Sequence, residues 1–445
     1  MPVLKLRSFM KIFVLTGLVA GFFSTATPQI TIAQSTSANP VLKEAAAETV
    51  GMSTSRLQRM DGVINDYIAK GRQAGVGVLV ARNGRIVYHK AYGLDDMQAK
   101  TALKRDAIYR IASQTKAITS IGLMMLFEEG KFLLDEPISK YIPAFKSPKV
   151  VDKFNEKDTT FTTVPAKREI TIRQLLTHTS GISYPGIGSK EAVALYAKYG
   201  IPSGIGTPGG TLEDAMNRLG ALPLVHQPGE KWTYGLSVDL VGRLIEVLSG
   251  QSLDQFLRTR LFDPLGMNDT YFYLPAPLQN RLTKVYTEDA EKAIQPMPAQ
   301  GGISADYPKL AGTYYSGGAG LSSTLYDYAI FLQMMLNGGE YNGKRILSPT
   351  TVRLITTNQI GELNQGNNKF GLGFAITSEK SAAQLPVSQG SFDWGGFFGT
   401  TYWVDPKEGI VALIYTQKVP NSYGDLSDKF KVLVYQAITQ MQAPK

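Results

Sequence analysis

The 445-residue chain has no cysteine. That absence excludes disulfides, thiolate metal ligands, a cysteine nucleophile and a lipidated N-terminal cysteine. Histidine is nearly as scarce: only His89, His178 and His226 occur, and there is no H-E-x-x-H string. A zinc hydrolase site and a Ser-His-Asp triad therefore have little to build on, and neither metal nor cofactor is expected. Long apolar runs are missing as well. The one candidate, Ile12 to Phe23, is twelve residues long, short of the roughly 20 that a membrane-spanning helix needs. Lys and Arg exceed Asp and Glu by 46 to 37, but the basic residues form no dense cluster, so nucleic acid is not an expected partner. There is no internal repeat and no low-complexity tract, and 43% hydrophobic with 19% charged residues is a globular composition.

At the N-terminus, Lys5, Arg7 and Lys11 precede the short apolar run, and small and polar residues follow it. This is the layout of a secretory signal peptide over residues 1–33. The expected product is an exported protein, periplasmic or extracellular, without a stable membrane anchor. The formal charge of +9 includes those three basic residues, so the mature chain carries three fewer positive charges. Residues 34–50, rich in Ser, Ala, Thr and Glu, are predicted to be a linker, and residues 51–445 to be one catalytic body, a size admissible for a mixed α/β enzyme.

Leu57, Met60, Ile64 and Ile68 recur at helical spacing behind Ser53 and Ser55, which predicts a capped helix ending near Gly71. Val76 to Ala81 and Arg85 to Ala91 flank Asn83-Gly84, a strong hairpin signal. Near the other end, Thr400 to Val404 and Ile410 to Thr416 flank a polar turn, and Leu426, Phe430, Leu433, Ala437 and Ile438 predict a final helix. Between lie helical patterns such as Val238 to Leu248 and Leu325 to Leu336. The predicted architecture is α/β (α+β): an antiparallel sheet built from both chain ends and flanked by helices, with a helical insertion over roughly residues 130–300.

Ser113-Gln114-Thr115-Lys116 opens a segment, Ala117 to Glu129, that is apolar nearly all round and stops at Gly130. Such a helix is buried, and residues three apart share a face, so Ser113 and Lys116 would project from its first turn into one cavity. A serine hydroxyl needs a base to become a nucleophile, and an amine serves only if its pKa falls from about 10.4. The positive helix N-terminus would disfavour the ammonium and favour negative charge near the serine. The spacing alone is weak, since Ser8 and Lys11 match it within the presequence.

Three companion segments add specificity. They are the string Leu175-Leu176-Thr177-His178-Thr179-Ser180-Gly181, the turn Gln227 to Ser237 containing Trp232 and Tyr234, and Asp393-Trp394-Gly395-Gly396-Phe397 before the C-terminal strands. With these, and with Pro264-Leu265-Gly266-Met267, the chain resembles the serine β-lactamase superfamily over roughly residues 50–440. The resemblance is to its class C-like branch, which includes family VIII carboxylesterases, D-aminopeptidases and related serine hydrolases. It implies that Ser113 is the nucleophile, Lys116 its adjacent base or base-modulator, and Tyr234 the proton shuttle. Either lysine or tyrosine could be the primary base. The resemblance also places the oxyanion hole at the backbone N–H groups of Ser113 and Phe397, and makes His178 a satisfied structural side chain.

Two departures bear on substrate. Where β-lactamases of the branch have an asparagine, Leu236 stands, and where the third motif begins with lysine, this chain has Trp394-Gly395-Gly396. Leu236, Trp394, Gly395 and Gly396 would then line a substrate pocket that has lost partners for an anionic amide and gained apolar area. The expected activity is acyl transfer to water on a small uncharged ester. The alternatives are a D-amino-acid peptidase or weak β-lactamase acting on cell-wall-like amides, and, in a different class, a non-catalytic sensor that keeps the fold.

Overall fold

A computed structural model describes residues 39–298 and 304–442. The predicted signal peptide and residues 34–38 of the predicted linker lie outside the described residues. Residues 39–50 are not a tether. Lys43–Glu44 (β1) pairs in parallel with β3 (Arg85–Asp96), and Leu42 and Ala47 are buried. The reason is local: β3 offers an open edge, and two apolar side chains gain burial by lying along it.

Among the described residues the main sheet has nine strands. Besides β1 and β3 these are β2 (Gly75–Arg82), β4 (Thr101–Ala102), β5 (Lys369–Phe370), β6 (Ala375–Ile376), β7 (Phe392–Gly396), β8 (Thr400–Asp405) and β9 (Ile410–Tyr415). Their order is β1-β3-β2-β9-β8-β7-β6-β5, with β4 on β3, and every pair but β1 with β3 is antiparallel. The two chain ends thus meet at the centre, where Leu413 of β9 pairs with Leu79 of β2. The hairpin turn follows the sequence signal, with Asn83 at φ 51°, as a type I′ turn requires.

Both central strands are buried on both faces. Val76, Val78, Val80, Ile410, Ala412 and Ile414 pack toward α1 (Arg59–Ala69) and α6 (Leu426–Tyr435), while Leu79, Ala81, Val411 and Leu413 enter the main core. That is the period-two pattern of a sheet covered on each side. The main core is carried by α2 (Thr115–Glu128), α3 (Ile172–Leu176), α4 (Ser237–Ser249) and α5 (Leu325–Leu336). The segment between β4 and β5 runs from residue 103 to 368. It is wider than the expected 130–300, because α2 and α5 at its two ends already belong to the helical layer.

Candidate active site

The turn carrying Ser113 is a short 3-10 stretch, Ala112–Gln114, running directly into α2. Twelve of the fourteen α2 residues, from Thr115 to Leu126, are buried, as the all-round apolar pattern predicts. Burying each large aliphatic side chain contributes about 1.5–3 kcal/mol, which anchors the turn. Ala112 adopts φ 42°, a left-handed conformation that disfavours a Cβ. Phe398, Val285 and Tyr307 pack around it and hold it there.

Lys116 is 2% exposed. Its Nζ donates to Gly318 O at 2.7 Å and Tyr184 OH at 3.0 Å, and reaches Ser113 Oγ at 3.4 Å. The ammonium also faces two aromatic rings, Tyr234 at 4.6 Å and Tyr184 at 5.2 Å from the centroids. Its charge state runs against the expectation from sequence. Burial by itself would lower the lysine, but attraction to the Tyr184 and Tyr234 oxygens outweighs it and holds the ammonium above the ordinary lysine value. The Tyr184 phenol is pushed up by burial and pulled back by the same ammonium. Burial wins, so Tyr184 remains a phenol that accepts a hydrogen bond from the ammonium.

Tyr234 is delivered by a loop that runs beside the α3 exit. Gly229 N–H donates to Thr179 O at 2.7 Å, Thr233 N–H to His178 O at 2.8 Å, and Leu236 N–H to Ser183 O at 3.2 Å. His226 braces that loop, with Nδ1 to Gln227 O and Nε2 to Thr233 Oγ1, both at 2.9 Å. The α3 helix is itself fixed by a capping box between Thr171 and Gln174. Tyr234 ends among aromatic rings: His178 at 4.9 Å, Tyr184 at 5.3 Å and Trp394 at 5.5 Å, with Trp394 Nε1 3.4 Å from its hydroxyl.

His178 is structural, but not through hydrogen bonds as expected. It is fully buried, and among the described residues neither ring nitrogen has a partner. Aromatic edges from Trp232, Tyr234 and Phe370 enclose it. Burial, and secondarily the Lys116 charge, hold its pKa well below the usual histidine value, so it is a neutral ring supporting Tyr234.

The turn after β7 meets the Ser113 turn from the other side. A Cβ on Gly396 would lie 2.3 Å from the Ile111 carbonyl oxygen and 2.3 Å from Thr400 Oγ1, whereas one on Gly395 would come no closer than 3.4 Å to any atom. Only a glycine at 396 permits that approach. The N–H groups of Ser113 and Phe397 both lack an acceptor among the described residues, which leaves them free for an oxyanion. Phe397 is exposed. Leu236 is a correction: it is 0% exposed, at the start of α4 within the main core, and does not line a pocket. The loop carrying Tyr234 turns inward at that position to begin a buried helix.

The structure therefore brings together Ser113, Lys116, Tyr234, Trp394, Gly396 and Phe397, and excludes Leu236. The sequence reading missed Tyr184 and Gly318. Tyr184 stands three residues beyond the Leu175 to Gly181 string, and Gly318 lies in the small-residue run Ser316 to Gly320, but neither carries a spacing signal toward Lys116. A cavity of about 590 Å³ between β1, β3 and the start of α5 is lined by none of these residues.

A β-lactamase family model matches residues 60–436. Protein Rv1367c of Mycobacterium tuberculosis is 30% identical over 371 residues, covering 80% of this chain and 89% of that protein. Esterase EstB of Burkholderia gladioli is 28% identical over 404 residues, covering 87% of this chain and 96% of the esterase. Among solved structures, EstCE1, a hydrolase with promiscuous acyltransferase activity, superposes with a TM-score of 0.74 at 27% identity, covering 86% of this chain and 99% of its own. With the family model spanning most of its length and the fold in agreement, the chain belongs to the β-lactamase family and is a serine hydrolase related to its carboxylesterases.

Proposed function

We propose that this chain is an exported carboxylesterase that hydrolyses small uncharged esters through an acyl-enzyme on Ser113. The observation that carries the reading is the buried Lys116 ammonium, 3.4 Å from Ser113 Oγ and enclosed by Tyr184 and Tyr234. Of the two phenols, Tyr184 is buried and engaged by Lys116, whereas Tyr234 is only half-buried and can meet a substrate. Tyr234 is the proton acceptor, its ring 4.6 Å from the Lys116 ammonium. Ser113 Oγ bonds to the ester carbonyl carbon and its proton passes to Tyr234. The carbonyl oxygen, now negative, accepts from the Ser113 and Phe397 N–H groups, each of which contributes about 3 kcal/mol to such an intermediate. Collapse breaks the bond to the alcohol oxygen, which takes the proton from Tyr234. Water then repeats the sequence on the acyl-enzyme, releasing the acid and restoring Ser113.

The substrate class rests on Trp394. Its indole packs on Tyr234 and Phe370 and presents a flat apolar wall where a cation would recruit a carboxylate. An anionic amide would lose a charged partner there, at a cost of about 1–3 kcal/mol or more. An alcohol also needs less protonation to leave than an amide nitrogen. Export rests on the predicted presequence, and the N-terminal mass of protein recovered from the periplasm or medium tests it. Activity is tested by kcat/KM for p-nitrophenyl butyrate and for nitrocefin in wild type and Trp394→Lys. The ester should be preferred at least tenfold by wild type, and the preference should fall in the variant. Equal turnover of both substrates by wild type would contradict the reading.

A further inference from the structure

The loop Ser316 to Gly320 supplies the carbonyl that receives Lys116, and it is clamped between two helices. From α2, Thr119 Oγ1 donates to Gly317 O at 2.8 Å, and Thr115 Oγ1 accepts from Leu321 N–H at 3.1 Å. From the first turn of α4 comes Asp239, which is 0% exposed. Its Oδ1 accepts from Ser316 Oγ at 2.6 Å, and Ser316 Oγ in turn accepts from Ala319 N–H at 3.0 Å. Among the described residues no donor meets its Oδ2 within hydrogen-bond geometry, and it lies against Gly318, where a Cβ would meet it at 2.4 Å.

The Gly318 residue thus separates a buried cation from a buried carboxylate. Such a carboxylate is costly unless a positive charge compensates it, and Lys116 is the cation that acts on Asp239. From these contacts, and resting on the role given above to Lys116, we infer that Asp239 is a positioning residue of the active site. Its carboxylate fixes the Gly318 carbonyl under the ammonium and adds, across that peptide, to the attraction that Tyr184 and Tyr234 exert on Lys116. Burial raises the Asp239 carboxyl, while the Ser316 hydroxyl and the Lys116 charge pull it back. The other titratable groups around the pair are Tyr184, Tyr234 and His178 about the lysine and Tyr314 about the aspartate.

The test is the pH profile of kcat for p-nitrophenyl butyrate in wild type, Asp239→Asn, Gly318→Ala and Lys116→Ala. Removing the negative charge lowers the pKa of the nearby ammonium, so in Asp239→Asn the alkaline limb should move down by about one pH unit. Its kcat should fall about 10- to 100-fold, with KM changed by less than about threefold. Gly318→Ala keeps the charge but drives Oδ2 away from the peptide, so its kcat should fall similarly; it also serves if Asp239→Asn does not fold. An unmoved alkaline limb in Asp239→Asn overturns the inference, as does full activity in Gly318→Ala. If instead Lys116→Ala retains activity, the reading of the site itself fails, whatever Asp239 does.

Discussion

At Lys116 two effects of opposite sign meet, and their balance decides whether its side chain is an amine or an ammonium. Desolvation alone would favour a neutral amine, but two phenols and a carbonyl at 2.7 Å favour the cation. The sequence could show that the side chain is buried, because Lys116 sits in an apolar helix one turn from Ser113. It could not show what faces the side chain there. Tyr184 and Gly318 come from segments 68 and 202 residues away, and only the packing of α2 on α4 and its neighbours brings them in. In the proposed mechanism Lys116 and Tyr234 act as one unit, so their losses should not add. Lys116→Ala and Tyr234→Phe should each lower kcat by about 10³-fold, and the double variant should lie within about tenfold of the worse single one. Steady-state kinetics giving the full product of the two losses would contradict the coupling.

The elements that position the site differ in how openly the sequence displays them. The α2 helix and the two hairpins were legible, because a continuous apolar run and an Asn83-Gly84 turn are local signals. The edge strand β1 was not, since Lys43–Glu44 is two polar residues whose pairing depends on β3 being there to receive it. The misplacement of Leu236 has a similar origin: a motif position says where the chain passes, and the start of α4 decides that this side chain turns into the core. At the β7 turn the two glycines of one motif separate cleanly. Gly396→Ala forces a Cβ to within 2.3 Å of the Ile111 carbonyl oxygen, while Gly395→Ala meets nothing closer than 3.4 Å. Gly396→Ala should therefore displace the Phe397 N–H and lower kcat about 100-fold or more. Gly395→Ala should stay within about threefold of wild type in the same assay. Equal losses in the two would show that the approach to Ile111 does not set the oxyanion site.

Across the whole molecule the sheet formed by both chain ends was readable from two terminal hairpins, whereas the extent of the insertion was not, because α2 and α5 have no sequence mark of the layer they join. Whole-molecule stability should carry a histidine signature outside the site. Arg105 donates to His89 Nδ1 at 3.0 Å, and among the described residues the buried Nε2 has no partner. Burial first, and the Arg105 charge second, push this ring down to about 4. The unfolded chain binds that proton at about 6.5, so His89 leaves stability intact above that value and lowers it as pH falls from about 6.5 to about 4. Asp327, raised to about 6 by burial, acts in the opposite sense, so the difference between proteins is the informative quantity. Tm should fall less between pH 7 and pH 4.5 in His89→Gln than in wild type, and identical slopes by calorimetry would contradict the assignment. The most direct test of the central claim is the intact mass of the purified protein after treatment with a fluorophosphonate. One adduct in wild type, mapped to Ser113 and absent from Ser113→Ala, is the predicted result, and an adduct on any other residue, or one that persists in Ser113→Ala, would contradict it.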